Sequence, residues 1–571
     1  MRKTLIALCV LLLAVSAIAQ QRTGTVYGKV VDQEGNALPG VTVTLTGNLT
    51  APLTTVSSAE GSFRFLSLPP AKDYALKAEL TGFKTRTEEG IIVVVGGNTN
   101  ITLTLEMGAI EEQITVTAVS PMVDTKKTSV GSNVTQEVLQ SLPTARDPWV
   151  VLQMAPSIIV DRENVGGAES GQQSNYVARG SASYNNNVWA MDGIVITDPD
   201  AIGASPSYYD FDAFEEMNIV VGGADVTVQT GGIALNMVTR RGGNKVSFGG
   251  RFYMVDSKFQ ADNFKPEYAK EGALGINKIN NNKDYGFNMG VPLLKDKAWF
   301  WGSYGVQDIK TTTVYATKDD TMLQNYAAKL NLQIIPQNRF EAFVHIGGKN
   351  KWGRSATAAN PDGLYQGGRY HFGSPIIKFQ DEHMFGDSFF LSLKYAFSDA
   401  GFNLTPMMDL NFEKFTIWDE TAQRYYSSVN RYYVERPVNQ YNVLANYYND
   451  NLFGASHDVK IGFEYADRNA YTESVYAGNG VITRNVNYPV FDFDGDGNLD
   501  VPSSSNFYRF DIWRGYYSDN HIDAFAGYFS DTVTFGRFNL LLGLRWDMQK
   551  PWVNPTTVYA VDKGAAWKSI A

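Results

Sequence analysis

Phe389-Phe-Leu-Ser-Leu-Lys-Tyr-Ala-Phe-Ser398 decides the fold class. Phe389, Leu391, Leu393, Tyr395 and Phe397 share one parity, while Ser392, Lys394 and Ser398 share the other. Alternate side chains of a strand leave opposite sheet faces, so this segment has one apolar and one polar face. Tyr326, Ala328, Leu330, Leu332 and Ile334 alternate in the same way with Lys329, Asn331 and Gln333. Val459, Ile461, Phe463 and Tyr465 alternate with Asp458, Lys460 and Glu464, and Phe538, Leu540, Leu542, Leu544 and Trp546 with Asn539, Arg545 and Asp547. Two architectures use this pattern: a soluble sandwich with a wet outer face, and a membrane barrel with an apolar outside and a polar lumen. Segments of roughly ten residues have the length a tilted strand needs to cross a bilayer. Short turns fall near residues 294–297, 336–338, 385–387, 451–456 and 535–536. Long excursions fall at 256–283, 308–324, 348–374, 399–440, 467–520 and after Lys550. Connections sorted into one short rim and one long rim are the outer-membrane pattern. The barrel reading wins.

Composition agrees. Over 571 residues the chain is 44% hydrophobic and only 19% charged, with 13% aromatics and 52 glycines, which suits a large β protein. Lys+Arg 49 against Asp+Glu 59 gives a net charge of -10, which argues against a nucleic-acid partner. Cys9 is the only cysteine and the five histidines are scattered, so disulfides and Cys/His zinc sites are excluded. No nucleophile–base pair or metal cluster stands out, and an enzyme is the least supported class.

Arg2 and Lys3, the apolar run Leu5 to Val15 and Ala17-Ile-Ala19 form a secretory signal peptide over residues 1–19. Its removal takes away Arg2 and Lys3 and moves the net charge from -10 to -12. No later run offers the ~18 apolar residues of a transmembrane helix.

Residues 22–108 read as a small β-sandwich of short strands broken by Gly61, Pro69-Pro70, Gly82 and Gly96-Gly97. Gly28, Val30, Asp32, Gly35 and Leu38-Pro-Gly-Val41, then Gly61, Phe63, Phe65 and Tyr74, resemble the carboxypeptidase regulatory-like domain. The resemblance implies a seven-stranded accessory module without peptidase activity.

Residues 109–243 open with Glu111-Glu-Gln-Ile-Thr-Val-Thr-Ala118, an extended β-branched run suited to strand addition on another protein's sheet edge. The alternative is a strand of the preceding sandwich. Short helices are expected over Val134–Pro143 and Trp149–Pro156, each stopped by proline. Arg179-Gly180, Asp192-Gly193, Glu215-Glu216, Gly222-Gly223 and Gly231-Gly232-x-x-x-Asn236-x-x-Thr239-Arg240 follow. This order of motifs resembles the plug of TonB-dependent outer-membrane receptors, and among them the Oar-like group that carries the N-terminal accessory domain. The match departs at Asp225 to Thr230. The resemblance implies an α+β plug, with Ile114, Thr115, Val116, Thr117 and Ala118 as the TonB box. Gly193, Gly222 and Gly232 read as tight backbone turns. Arg179, Asp192, Glu215, Glu216 and Arg240 read as hydrogen-bonding and ion-pairing groups inside the barrel.

Residues 244–571 supply about eleven barrel strands, whereas receptors of the resembled family close with 22. The chain stops at Trp567-Lys-Ser-Ile-Ala571, without an aromatic-terminated amphipathic strand. The expectation is an N-terminal part of a longer receptor, or a truncated gene product, with an incomplete antiparallel transmembrane β-barrel. Asp492, Asp494, Asp496, Asn498 and Asp500 occupy alternate positions around Gly497, as in a calcium loop, but Ser503 stands where the closing glutamate belongs. Weak calcium binding in an outer loop is the expectation, and no other cofactor is implied. Trp418, Tyr425, Tyr426, Tyr432 and Tyr433, with Phe507, Tyr508, Phe510, Trp513, Tyr516 and Tyr517, suit a carbohydrate or peptide ligand, or else an interfacial girdle at the strand ends.

The resemblance implies an outer-membrane receptor, embedded in lipid, that takes up a large or scarce solute using force delivered by TonB, ExbB and ExbD. A SusC-like glycan importer and a surface adhesin without active transport are the alternatives.

Overall fold

The computed structural model describes residues 23–555 apart from 109–112, 118–128, 142–145, 147, 161–175, 179–180, 183–185, 202–203, 206, 485–507, 514 and 537. The predicted signal peptide, Ala118, Arg179, Gly180 and the calcium-like loop of Asp492, Asp494, Asp496, Asn498 and Asp500 lie outside the described residues.

The accessory module is a sandwich. One sheet has the order Ser62–Leu68, Gly24–Val31, Asn98–Thr104; the other runs Leu53–Val56, Thr42–Thr46, Ala71–Glu79, Thr85–Val93 and then Gln113–Thr117. Its core, including Val26, Leu45, Phe65, Tyr74, Leu76 and Leu103, draws on sandwich residues alone. Tyr74 keeps its hydroxyl satisfied in that core by donating to the Pro69 carbonyl at 2.9 Å.

The plug is a five-stranded sheet in the order Ile194–Val195, Val188–Met191, Ala234–Thr239, Phe214–Gly222, Val130–Thr135. The two expected helices are present as Gln136–Ser141 and the 3-10 turn Val150–Met154. Trp149 and Trp189 meet edge to face at 5.2 Å in its core. That core continues into lumen-facing residues of the barrel, among them Trp301, Phe343, Ile376 and Ala396.

Eleven strands form the barrel wall: Ser247–Asp256, Lys278–Leu294, Ala298–Thr312, Lys318–Leu332, Asn338–Arg354, Ser374–Phe385, Phe389–Asp399, Pro437–Leu452, Ala455–Val475, Tyr516–Phe535 and Phe538–Val553. Each pairs antiparallel with the next. Among the described residues the first and last strands have one partner each. Short connections at 295–297, 333–337, 386–388, 453–454 and 536–537 fall on one rim. The other rim carries 257–277, 355–373, 400–436 and, among the described residues, 476–484 and 508–513. No helix among the described residues is long and apolar enough to cross a membrane.

Burial is inverted relative to a soluble protein. Lys394 is 5% exposed and neighbouring Leu393 43%; Glu464 is 2% exposed and Phe463 38%. The polar stripe faces the plug and the apolar stripe faces outward, as a bilayer demands.

Two expectations differ from the structure. The excursion at 308–324 is a continuation of both flanking strands, paired up to Thr312 and Lys318. Asp308, Lys310, Thr312, Lys318 and Asp320 replace apolar residues there, with Ile309 and Leu323 buried on the other face, so the outward apolar alternation ends while the backbone ladder goes on. The outer-loop aromatics do not all sit on barrel strands: Trp418 packs on Tyr425 at 4.6 Å, Arg484 lies 4.1 Å over Tyr426, and Trp513 packs on Tyr476 at 5.5 Å. Trp418, Tyr425, Tyr426 and Phe510 belong to an outer sheet of Arg424–Tyr426, Thr416–Asp419, Gly480–Arg484 and Tyr508–Ile512, whereas Tyr432 and Tyr433 lie on Arg431–Glu435 and Tyr516 and Tyr517 on Tyr516–Phe535, strands of the barrel sheet.

Candidate functional site

Asp192 and Gly193 close the two-residue hairpin between Val188–Met191 and Ile194–Val195. Their φ angles of 47° and 70° are those of a type I′ turn, for which Asp-Gly is a preferred pair. Asp192 is fully buried. Its carboxylate accepts from the Thr239 amide at 3.1 Å and the Thr239 hydroxyl at 2.6 Å, and Asn236 accepts from the Gly193 amide at 3.1 Å. Four predicted plug residues, Asp192, Gly193, Asn236 and Thr239, thus converge on one knot.

Three lysines of the barrel wall grip that knot. Lys329 pairs with the Asp192 carboxylate at 2.8 Å and donates to the Thr239 carbonyl at 3.1 Å. Lys378 donates to the Asp192 carbonyl at 3.2 Å, and Lys394 to the Gly193 carbonyl. Glu341 holds Lys378 at 2.6 Å and plug residue Arg241 at 2.7 Å. Sequence reading missed this cluster as a site. Lys329 and Lys394 were visible only as members of a polar stripe, and nothing local says which stripe residues meet a plug.

Other predicted residues serve separate contacts. Arg240 donates to Asn288 of the wall at 2.9 Å and lies 3.8 Å from Glu215. Burial lifts the Glu215 carboxyl above the ordinary carboxylate range, against the pull of Arg240. Glu216 is buried and accepts from the Val95 amide of the sandwich at 3.0 Å. Gly222 is a correction: it ends the strand Phe214–Gly222 without a positive φ, and Gly223 (φ 61°) makes the turn beside it, whereas Gly232 lies in a bend where its amide donates to the Thr230 hydroxyl at 3.0 Å. Nothing lies within 4 Å of where a side chain on Gly222 or Gly231 would begin.

Further ion pairs, also missed, tie plug to wall. Arg436 reaches Asp198 at 2.9 Å and Asp200 at 3.2 Å. Arg251 joins Asp210 at 2.6 Å, and Lys460 joins Asp225 at 2.9 Å. Burial alone would raise the Asp225 carboxyl, but the Lys460 ammonium outweighs it and holds the group below its usual value. Asp225 lies in the stretch where the sequence departs from the family pattern.

The coupling segment has its own position. Gln113–Thr117 is the outermost strand of the sandwich's larger sheet, parallel to Thr85–Val93, with Ile114 opposite Arg86 and Val116 opposite Glu88. Thr115 and Thr117 sit opposite Thr87 and Glu89, and Thr115 is exposed. The strand follows the sandwich in sequence and precedes the plug's edge strand Val130–Thr135.

Residues 25–106 match the carboxypeptidase regulatory-like domain, and residues 124–234 match the TonB-dependent receptor plug domain. Over 301 residues the chain is 30% identical to the TonB-dependent transporter Oar of Myxococcus xanthus, covering 52% of this chain and 27% of that relative. The fold is similar to the outer membrane transporter YddB from Escherichia coli, with a TM-score of 0.54, 13% identity, and coverage of 74% of this chain and 57% of that one. It is also similar to the siderophore receptor PirA from Acinetobacter baumannii, with a TM-score of 0.51, 14% identity, and coverage of 75% and 57%. The chain therefore spans little more than a quarter of the curated relative and over half of these solved structures. Regulatory-like sandwich, plug and plug-holding barrel wall together make this chain similar to the TonB-dependent outer-membrane transporters, whose plug domain it carries at residues 124–234.

Proposed function

We propose that the protein is exported to the outer membrane and takes up a large or scarce solute there, energised by TonB with ExbB and ExbD. The observation that carries this reading is the pairing of a lumen-filling plug, held by discrete polar contacts, with an extended strand at Gln113–Thr117 just ahead of it. The plug shares part of its apolar core with the wall, and the polar contacts it adds can be replaced by water once they part, so it releases at lower cost than a plug sealed by apolar packing alone. Strand addition at residues 114–118 supplies the handle, and a pull there loads Val130–Thr135, an edge strand of the plug sheet. The aromatic outer sheet suits a solute with sugar rings or a peptide backbone. The chemistry required of this chain is binding and release, with no bond made or broken in the solute.

The test is capture by the purified periplasmic domain of TonB. The full chain is expected to be retained, and a chain lacking residues 112–118 to pass through. Equal retention of both would contradict the coupling role and favour a passive adhesin.

A further inference from the structure

The regulatory-like sandwich does more than hang in front of the barrel. It touches the rim of short turns at several separate places. Arg64 pairs with Asp458 at 2.6 Å and stacks over Tyr448 at 4.5 Å. Ser62 donates to Asp450, and Ser67 donates to Glu382 at 2.9 Å. Arg339 donates to the Ser67 carbonyl, and Gln333 accepts from the Ala51 amide at 3.1 Å. Just above these contacts lies a cavity of about 210 Å³ between plug and wall. Arg64 and Ser67 of the sandwich line it together with Asn218 and Asp225 of the plug and Ser392 and Asn446 of the wall. The sandwich is the floor of that space.

The sandwich and the plug are attached to the wall in different ways. The plug's apolar core runs on into wall residues, whereas the sandwich's apolar core contains sandwich residues only. The rim contacts named above are hydrogen bonds, an ion pair and a cation stacked on a ring. Water can satisfy the polar groups when they part, so the sandwich can leave the rim without exposing its core. The cavity lining mixes apolar residues such as Phe390 and Leu444 with both signs of charge and several amides, and those polar groups can hold water along a passage.

We propose that the sandwich is a gate. It closes the short-turn end of a passage between plug and barrel wall, and the Arg64–Asp458 clasp is the contact that must part for the passage to open. The strand Gln113–Thr117 hangs on the same sandwich, so a pull on it loads the gate as well as the plug. That last link rests on the coupling role proposed above; the gate itself does not.

Accessibility of a single cysteine tests the gate without TonB or solute. Cys9, the chain's only cysteine, lies in the predicted signal peptide, so introduced thiols can be read singly. Ser392→Cys places a thiol in the cavity, and Ser303→Cys places one on a buried lumen position outside it. Both are labelled in the purified full chain with a bulky hydrophilic maleimide. Ser392→Cys is expected to react slowly in the parent and roughly tenfold faster or more when Arg64→Ala or Asp458→Ala removes the clasp, the scale of losing one charge-assisted hydrogen bond. Asp458→Ala alters only the wall, so its effect is independent of the sandwich's own folding. A disulfide between Ser62→Cys and Asp450→Cys is expected to return the Asp458→Ala chain to the slow rate. Unchanged labelling in both clasp variants would overturn the proposal, as would acceleration of Ser303→Cys in step with Ser392→Cys, or a fast rate that persists with the disulfide closed. A failure here leaves TonB capture untouched, and a failure of capture leaves the gate standing.

Discussion

Lys329 and Asp192 are almost fully withdrawn from water, at 1% and 0% side-chain exposure, and they meet at the point where plug and wall join. Burying such a pair gains little net stability, because desolvation consumes most of the attraction; removing one partner is different, since it strands a charge. Asp192→Ala therefore costs about 3–5 kcal/mol of plug attachment. Asp192→Asn keeps hydrogen-bonding atoms beside Thr239 and costs less. Urea titration of the purified protein, with plug release read as trypsin cleavage within the plug, is expected to show a lowered midpoint for the alanine variant. An unchanged midpoint would remove Asp192 from the latch. The sequence showed Asp192-Gly193 as a turn, because Asp-Gly is a local signal. It could not show three lysines arriving from strands more than a hundred residues downstream.

Elements were legible where a local period exists and illegible where it lapses. All eleven wall strands carry a readable stretch of alternation, yet Lys278–Leu294, Ala455–Val475 and Tyr516–Phe535 run well past the expected ten residues. Their extra turns of ladder lie beyond the apolar band, where backbone pairing continues and side-chain alternation no longer matters. The segment at residues 113–117 shows the opposite limit. Its β-branched residues announced a strand, but composition does not name the partner, and both a foreign edge and the sandwich's own sheet fitted. The structure seats it on the sandwich. Backbone amides engaged in that pairing exchange with solvent only through local opening. Hydrogen exchange over residues 113–117 is expected to be roughly tenfold slower in the full chain than in a chain lacking residues 22–108. Equal exchange in the two would detach the strand from the sandwich.

At the scale of the molecule, three units divide the work by the kind of surface each buries. The sandwich closes on its own apolar core and meets the rim through polar groups. The plug shares its core with the lumen and adds ion pairs at Lys329, Arg436, Arg251 and Lys460. The wall turns its polar stripe toward the plug and its apolar stripe outward, and every other feature depends on that inversion. The most direct measurement uses single cysteines carrying an environment-sensitive fluorophore, with the protein reconstituted in vesicles of brominated phosphatidylcholine. Labels at Leu391, Leu393, Leu540, Leu542 and Leu544 are expected to be quenched by the bromine, while labels at Ser392 and Ser398 stay bright. Loss of the alternation, or quenching on the serine side, would contradict the account.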